Sequence, residues 1–247
     1  MAIKILVTND DGINAEGIKH LVNFARERGE VVVVAPKNEQ SAKSHAIEIR
    51  GEFEIKEQSI FPGVRAYSVD STPADCVRYA VLGLKEKFDL VLSGINRGPN
   101  LGLDIVYSAT LGAVFEASRL GIAAIALSTD FDSFELAKSK LSEVYDFFEE
   151  NRLLLKNPIY NVNIPSDRAR GILFTRQGGM YFTDEFVETE KKGIYRQDGH
   201  CIYEGTENLD EDIDAFKCGY ISVTPLLATR TNLDLLGKLK SEARPCK

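Results

Sequence analysis

Two β-branched runs, IKILVT at residues 3–8 and VVVVAP at residues 31–36, are separated by one amphipathic stretch over residues 15–28. That spacing constrains the fold more than any other feature of the chain. Short apolar runs without polar alternation are strands buried on both faces, and the helical period between them makes a βαβ unit. A βαβ unit demands a parallel sheet with right-handed crossovers. Gly29, after the last helical residue, reads as the helix C′ position.

The alternation continues. EIRGEFEIKE (residues 48–57) and VRAYSV (64–69) read as strands, possible partners in an antiparallel excursion. TPADCVRYAVLGL reads as a helix with Thr72 as N-cap and Pro73 at N1. Strand FDLVLSG, helix TLGAVFEASRLG, strand AAIALST and a long helix over 133–151 follow. After about residue 158 the pattern changes to three strands, IYNVNIP, GILFTRQ and YISVTPL, around a polar, aromatic stretch over 180–216. Its acidic part, ENLDEDID, reads as a solvated loop, because the calcium-loop spacing with its central glycine is missing. The expected organisation is one domain over 1–247. It has a Rossmann-like core at 1–157 and an extension at 158–247, with an arm near 180–216 and a terminal helix at 231–241.

At 247 residues the chain can bury a core without staples. The net charge of −7 disfavours a nucleic-acid polymer as partner, since such binding needs a basic surface. The four cysteines, Cys76, Cys201, Cys218 and Cys246, form no C-x-x-C pair and suggest free thiols in a reducing, cytoplasmic setting. The first apolar run is too short for a secretory signal or a membrane span.

In open α/β sheets, ligands bind beyond the carboxyl ends of the strands. Four polar loops fall at that edge. TNDDG places Asn9, Asp10 and Asp11 after the first strand. Adjacent carboxylates repel, so the pair reads either as a helix cap with a redundant charge or as ligands of a divalent cation. NEQSAKSHAI supplies Ser41 and Ser44 after the second strand, with His45 as a possible proton donor against a structural default. SGINRGPNLG supplies Asn96 and Asn100, and Gly98 among glycines that permit close backbone approach. YSAT places Ser108 and Thr110 before an apolar helix, where free N–H groups favour an anion. No Walker loop, G-x-G-x-x-G or G-x-S-x-G elbow occurs. The combination favours metal-assisted chemistry on phosphate.

TNDDG, the S-A-x-S loop, TPADCV, SGINRGPNLG and YSAT together resemble the SurE (survival protein E) family of metal-dependent phosphatases. NVNIP, FTRQ and YISVTPL extend the resemblance through most of the chain. It implies a three-layer αβα sandwich with a C-terminal β-rich arm, and hydrolysis of nucleoside 5′- or 3′-monophosphates. It also implies one Mg²⁺ or Mn²⁺ per subunit held by Asp10, Asp11, Ser41 and Asn96. By the same resemblance Asn9, Ser108 and Thr110 surround the phosphate, Asp10 or Asp11 orients water, and the arm and terminal helix build a homodimer or homotetramer. Ala109, Gln40, Ala46, Glu48 and Ser71 depart from the family pattern. Polyphosphatase or broad acid phosphatase activity is the near alternative. A phosphoacceptor receiver domain is the distant one.

Overall fold

The structure is a computed structural model describing residues 3–203 and 205–242. A nine-stranded sheet forms its centre, in the order β3-β4-β2-β1-β5-β6-β7-β11-β8. The strands are β1 (Ile3–Thr8), β2 (Gly29–Pro36), β3 (Ile55–Gln58), β4 (Arg65–Val69), β5 (Leu90–Arg97), β6 (Ala123–Thr129), β7 (Ile159–Ile164), β8 (Ile172–Phe174) and β11 (Ile221–Pro225). Strands β4, β2, β1, β5, β6 and β7 run parallel to one another, while β3 and β11 each pair antiparallel with a neighbour. The excursion therefore exists, but its first strand is only Ile55–Gln58; residues 48–54 are loop.

Helices α1 (Glu16–Ala25) and α4 (Glu135–Glu150) cover one face, burying Ile18, Leu21, Leu141 and Phe148 against Ile5, Val7 and Leu92. Helices α2 (Pro73–Arg78) and α3 (Ala109–Arg119) cover the other, burying Val77, Leu111 and Val114 against Leu6, Val32 and Val91. The fold is thus a three-layer αβα sandwich. A short helix α5 (Leu153–Lys156) leads into β7, and β7, β11 and β8 continue the same sheet. Beyond them lie an exposed two-stranded ribbon, β9 (Glu185–Glu188) and β10 (Tyr195–Asp198), then α6 (Asp212–Lys217) and α7 (Leu233–Glu242). No described helix is long and apolar enough to cross a membrane. Cys76, Cys201 and Cys218 form no disulfide; Cys246 lies outside the described residues.

Two expectations are corrected here. Gly29 does not cap α1, which ends at Ala25; it opens β2, and a Cβ there would collide with the Ile3 carbonyl of β1. Close strand approach, not a left-handed turn, requires glycine. The acidic stretch 207–214 is an exposed turn only in its first half, at Glu207–Asp210; Asp212 and Asp214 are buried at the start of α6. Asp212 is fully buried and accepts from the backbone N–H groups of Gly102 and Gly178 at 3.0 and 2.8 Å. Asp214 accepts from Thr206 and Asn208. Asp212 holds the root of the arm to the loop after β5, and Asp214 fixes the turn that leads into α6.

Candidate active site

The chain order reverses at β1, which has β2 on one side and β5 on the other. The crevice at such a point opens beyond the carboxyl ends of the strands. A cleft of about 720 Å³ lies there, lined by Asp10, Ser41, Asn96, Arg97 and Ser108. Its far wall comes from Tyr107, Asp104 and the arm residues Tyr181, Phe182 and Phe186.

Asp10 lies two residues beyond the end of β1 and is 4% exposed. Thr110, at the start of α3, donates its hydroxyl to Asp10 Oδ1 at 2.6 Å. Burial, with a smaller contribution from the Asp11 charge, raises the Asp10 carboxyl to about 7. The Asp11 carboxyl is also raised, by burial, although Oδ2 accepts from the Arg97 backbone N–H at 3.2 Å. Asn9 is fully buried; its amide donates to the Gly12 carbonyl at 2.9 Å, while Oδ1 has no partner among the described residues. Neither Asp11 nor Asp10 caps α1, whose N-cap is Ala15 with no side-chain bond. The cap reading of the acidic pair therefore fails.

Asn96 donates its amide to the Gly98 carbonyl at 2.7 Å, leaving Oδ1 as the acceptor end. Gly98 has φ +115°, and a Cβ there would sit 2.6 Å from the Phe131 ring, so the turn needs glycine. Asn100 stabilises the loop: it donates to Ser128 and Asn163 and its carbonyl accepts from Asn161 and Asn163. Ser108 is the N-cap of α3, its Oγ accepting from Leu111 N–H at 3.2 Å.

Of the expected residues, Asp11, Gly98 and Ser44 are not among those lining the cleft. Asp10, Ser41, Asn96 and Ser108 share the cleft. Thr110 and Asn9 are fully buried and do not line it, Thr110 bonding to Asp10 and Asn9 to the Gly12 carbonyl. Ser44 takes another job: its hydroxyl donates to the Val106 carbonyl at 2.7 Å and its N–H to Tyr107, tying two loops together. His45 is no proton donor to this cleft, because Nε2 lies 2.9 Å from Glu116, a buried carboxylate also held by Arg78 and Arg119. Among the departures, Gln40 donates its N–H to the Asp10 carbonyl, Glu48 closes a turn onto Arg50 and Gly51, and Ser71 donates to Asp75. Ala109 is fully buried in α3.

Arg97 was missed by motif reading. It brings positive charge to the cleft, with its guanidinium 5.0 Å from the Phe134 ring centre and 3.5 Å from Glu16. Its place beside Asn96 in SGINRG was the available signal.

The donor set of Asp10, Asp11, Ser41 and Asn96 is all oxygen: two carboxylates, a hydroxyl and an amide. That chemistry fits a hard divalent cation such as Mg²⁺ or Mn²⁺. Among the described residues no cluster of three or more His, Cys, Asp or Glu could hold a metal ion, so neutral oxygens must complete any such shell.

Residues 5–184 match the model of the family described as survival protein SurE. The chain belongs to the SurE family. It is 39% identical over 237 residues to the 5′-nucleotidase SurE of Syntrophotalea carbinolica, covering 92% of each chain. It is 38% identical to the 5′-nucleotidase SurE of Kosmotoga olearia, covering 97% of this chain and 98% of that one. The crystal structure of the SurE protein from Aquifex aeolicus superposes with a TM-score of 0.76 at 33% identity, over 96% of this chain and 98% of the other. SurE membership over this span disfavours the receiver-domain alternative.

Proposed function

We propose that this chain is a metal-dependent phosphomonoesterase that hydrolyses nucleoside 5′-monophosphates, and 3′-monophosphates as well, to nucleoside and phosphate. The observation carrying this reading is the one cleft that joins Asp10, Ser41 and Asn96 at the strand ends to the aromatic wall of the arm. One end suits a cation and a phosphate. Tyr107 and Phe186, both exposed, give the other end rings on which a base can stack. Polyphosphate has no use for that wall.

Asp10, Asp11, Ser41 and Asn96 hold one Mg²⁺ or Mn²⁺ in this reading, as SurE nucleotidases are metal-dependent as a family. The bound cation supplies Lewis acidity toward phosphoryl oxygen and lowers the pKa of water. Asp10 is oriented by Thr110, and the Asp10–Asp11 pair positions the attacking water. Ser108 and the N–H groups opening α3 face the phosphate oxygens, with Asn9 shaping the floor. Arg97 brings the positive charge that the phosphoryl group demands as it moves. The exposed ribbon and the exposed leucines of α7, Leu233, Leu235, Leu236 and Leu239, support a homodimer or homotetramer built through the C-terminal extension. Three cysteines without disulfides support a reducing, cytoplasmic setting.

The test is chelator treatment followed by Mg²⁺ or Mn²⁺ add-back, assayed on 5′-AMP, 5′-GMP, 3′-AMP and tripolyphosphate. Metal-restored release of phosphate from the nucleotides is expected. Turnover of tripolyphosphate alone would replace the nucleotidase reading with a polyphosphatase one.

A further inference from the structure

Ser41 Oγ donates a hydrogen bond to Glu39 Oε1 at 2.7 Å. A serine hydroxyl has one proton and two acceptor lone pairs, so placing the proton fixes where the lone pairs point. With the O–H directed at Glu39, the lone pairs are available to the cleft that Ser41 shares with Asp10 and Asn96. The residue between them is also fixed, since Gln40 N–H donates to the Asp10 carbonyl at 2.7 Å. Glu39, Gln40 and Ser41 are thus held against the strand end that carries the acidic pair. Glu39 lies near enough for its charge to act on both Asp10 and Asp11. Yet no described cluster of three or more His, Cys, Asp or Glu is arranged to hold a metal. Glu39 is therefore placed to act through Ser41 and not as a ligand itself.

We propose that Glu39 is a positioning residue: it accepts the hydrogen bond of the Ser41 hydroxyl and so aims a serine lone pair at the cation. The proposal rests on the reading of Ser41 as a metal ligand. Partners behind metal ligands commonly change metal affinity by about 10–100-fold when removed. A carboxylate accepts more strongly than a neutral oxygen and holds the hydroxyl rotor better than water does.

The test is Mn²⁺ titration of chelator-stripped protein, followed by the EPR signal of free Mn²⁺. The variants are Ser41→Ala, Glu39→Ala, Glu39→Gln and the double Ser41→Ala/Glu39→Ala, each with its unfolding midpoint as a check of the fold. Ser41→Ala and Glu39→Ala should each weaken binding by about 10-fold or more. Glu39→Gln, whose Oε1 still accepts the hydrogen bond, should recover most of that loss. The double variant should bind no more weakly than Ser41→Ala. Wild-type binding in Glu39→Ala beside weakened binding in Ser41→Ala would overturn the proposal alone. Equal loss in Glu39→Gln and Glu39→Ala would overturn it too, by making charge and not hydrogen bonding the cause. Unchanged binding in Ser41→Ala would remove the ligand reading, and the proposal with it.

Discussion

Thr110 reaches Asp10 across 100 residues of sequence and donates a 2.6 Å hydrogen bond to its buried carboxylate. The contact joins the first turn of α3 to the loop after β1, so that helix also sets the rotamer of the first acidic residue. Thr110→Val removes the donor and leaves the shape. A hydrogen bond to a charged group contributes about 1.5–3 kcal/mol. Mn²⁺ affinity and kcat/KM should both fall by roughly 10-fold or more, with Thr110→Ser close to wild type. Unaltered Mn²⁺ affinity in Thr110→Val would count against this coupling.

Burial raises Asp10 to about 7 and raises Asp11 in the same direction. An unfolded aspartate releases its proton near pH 4. Between those values the metal-free folded state keeps a proton that the unfolded chain has lost. Its stability is therefore full below the unfolded value and falls as pH rises toward 7. For Asp10 the loss amounts to at most about 4 kcal/mol. Urea unfolding of chelator-treated protein should give a lower midpoint at pH 8 than at pH 5. Asp10→Asn should flatten that difference while abolishing nucleotide hydrolysis.

Arg97 is half exposed and lies between the Phe134 ring and Glu16 at the edge of the cleft. Arg97→Ala should raise KM for 5′-AMP by roughly 10-fold or more, the scale of one charge-assisted hydrogen bond. The inhibition constant of inorganic phosphate should rise with it. Arg97→Lys should recover part of the effect. If phosphate inhibition stays constant across the series, Arg97 does not touch the anion.

Much of this site was legible because its residues follow strands that announce themselves. β1, β2 and β6 are buried on both faces, so their sequences are unbroken apolar runs and their ends are visible. Thr72 and Pro73 marked the start of α2 by local chemistry alone, and Thr72 does accept from Asp75 N–H. What stayed hidden depends on partners far away in the chain. Asp212 looked solvated because its acceptor role is to Gly102, 110 residues earlier. His45 looked like a candidate acid because Glu116 lies 71 residues on. Ser44 matched a motif, yet its hydroxyl faces Val106 and not the cleft. Local pattern finds strand ends and caps. It is silent about which carboxylate meets which distant N–H.

Asp104 accepts from the backbone N–H groups of Tyr181 and Phe182, both at 2.9 Å. Asp104→Ala leaves two donors without their acceptor, at a cost of about 1–3 kcal/mol each if they stay dry. The aromatic wall should loosen. KM for 5′-AMP and 5′-GMP should rise several-fold while hydrolysis of methyl phosphate, which has no base, changes little. Parallel losses on both substrate types would show that Asp104 serves the phosphate end instead.

Tyr181, Phe182 and Phe186 of the cleft wall and the exposed ribbon belong to one continuous segment, with Phe186 lying in β9 itself. A substitution in that segment consequently alters a wall of the cleft and an exposed surface together. Asp10, Ser41 and Asn96 lie at the sheet edge, outside that segment, so the sequence of the wall can vary independently of theirs.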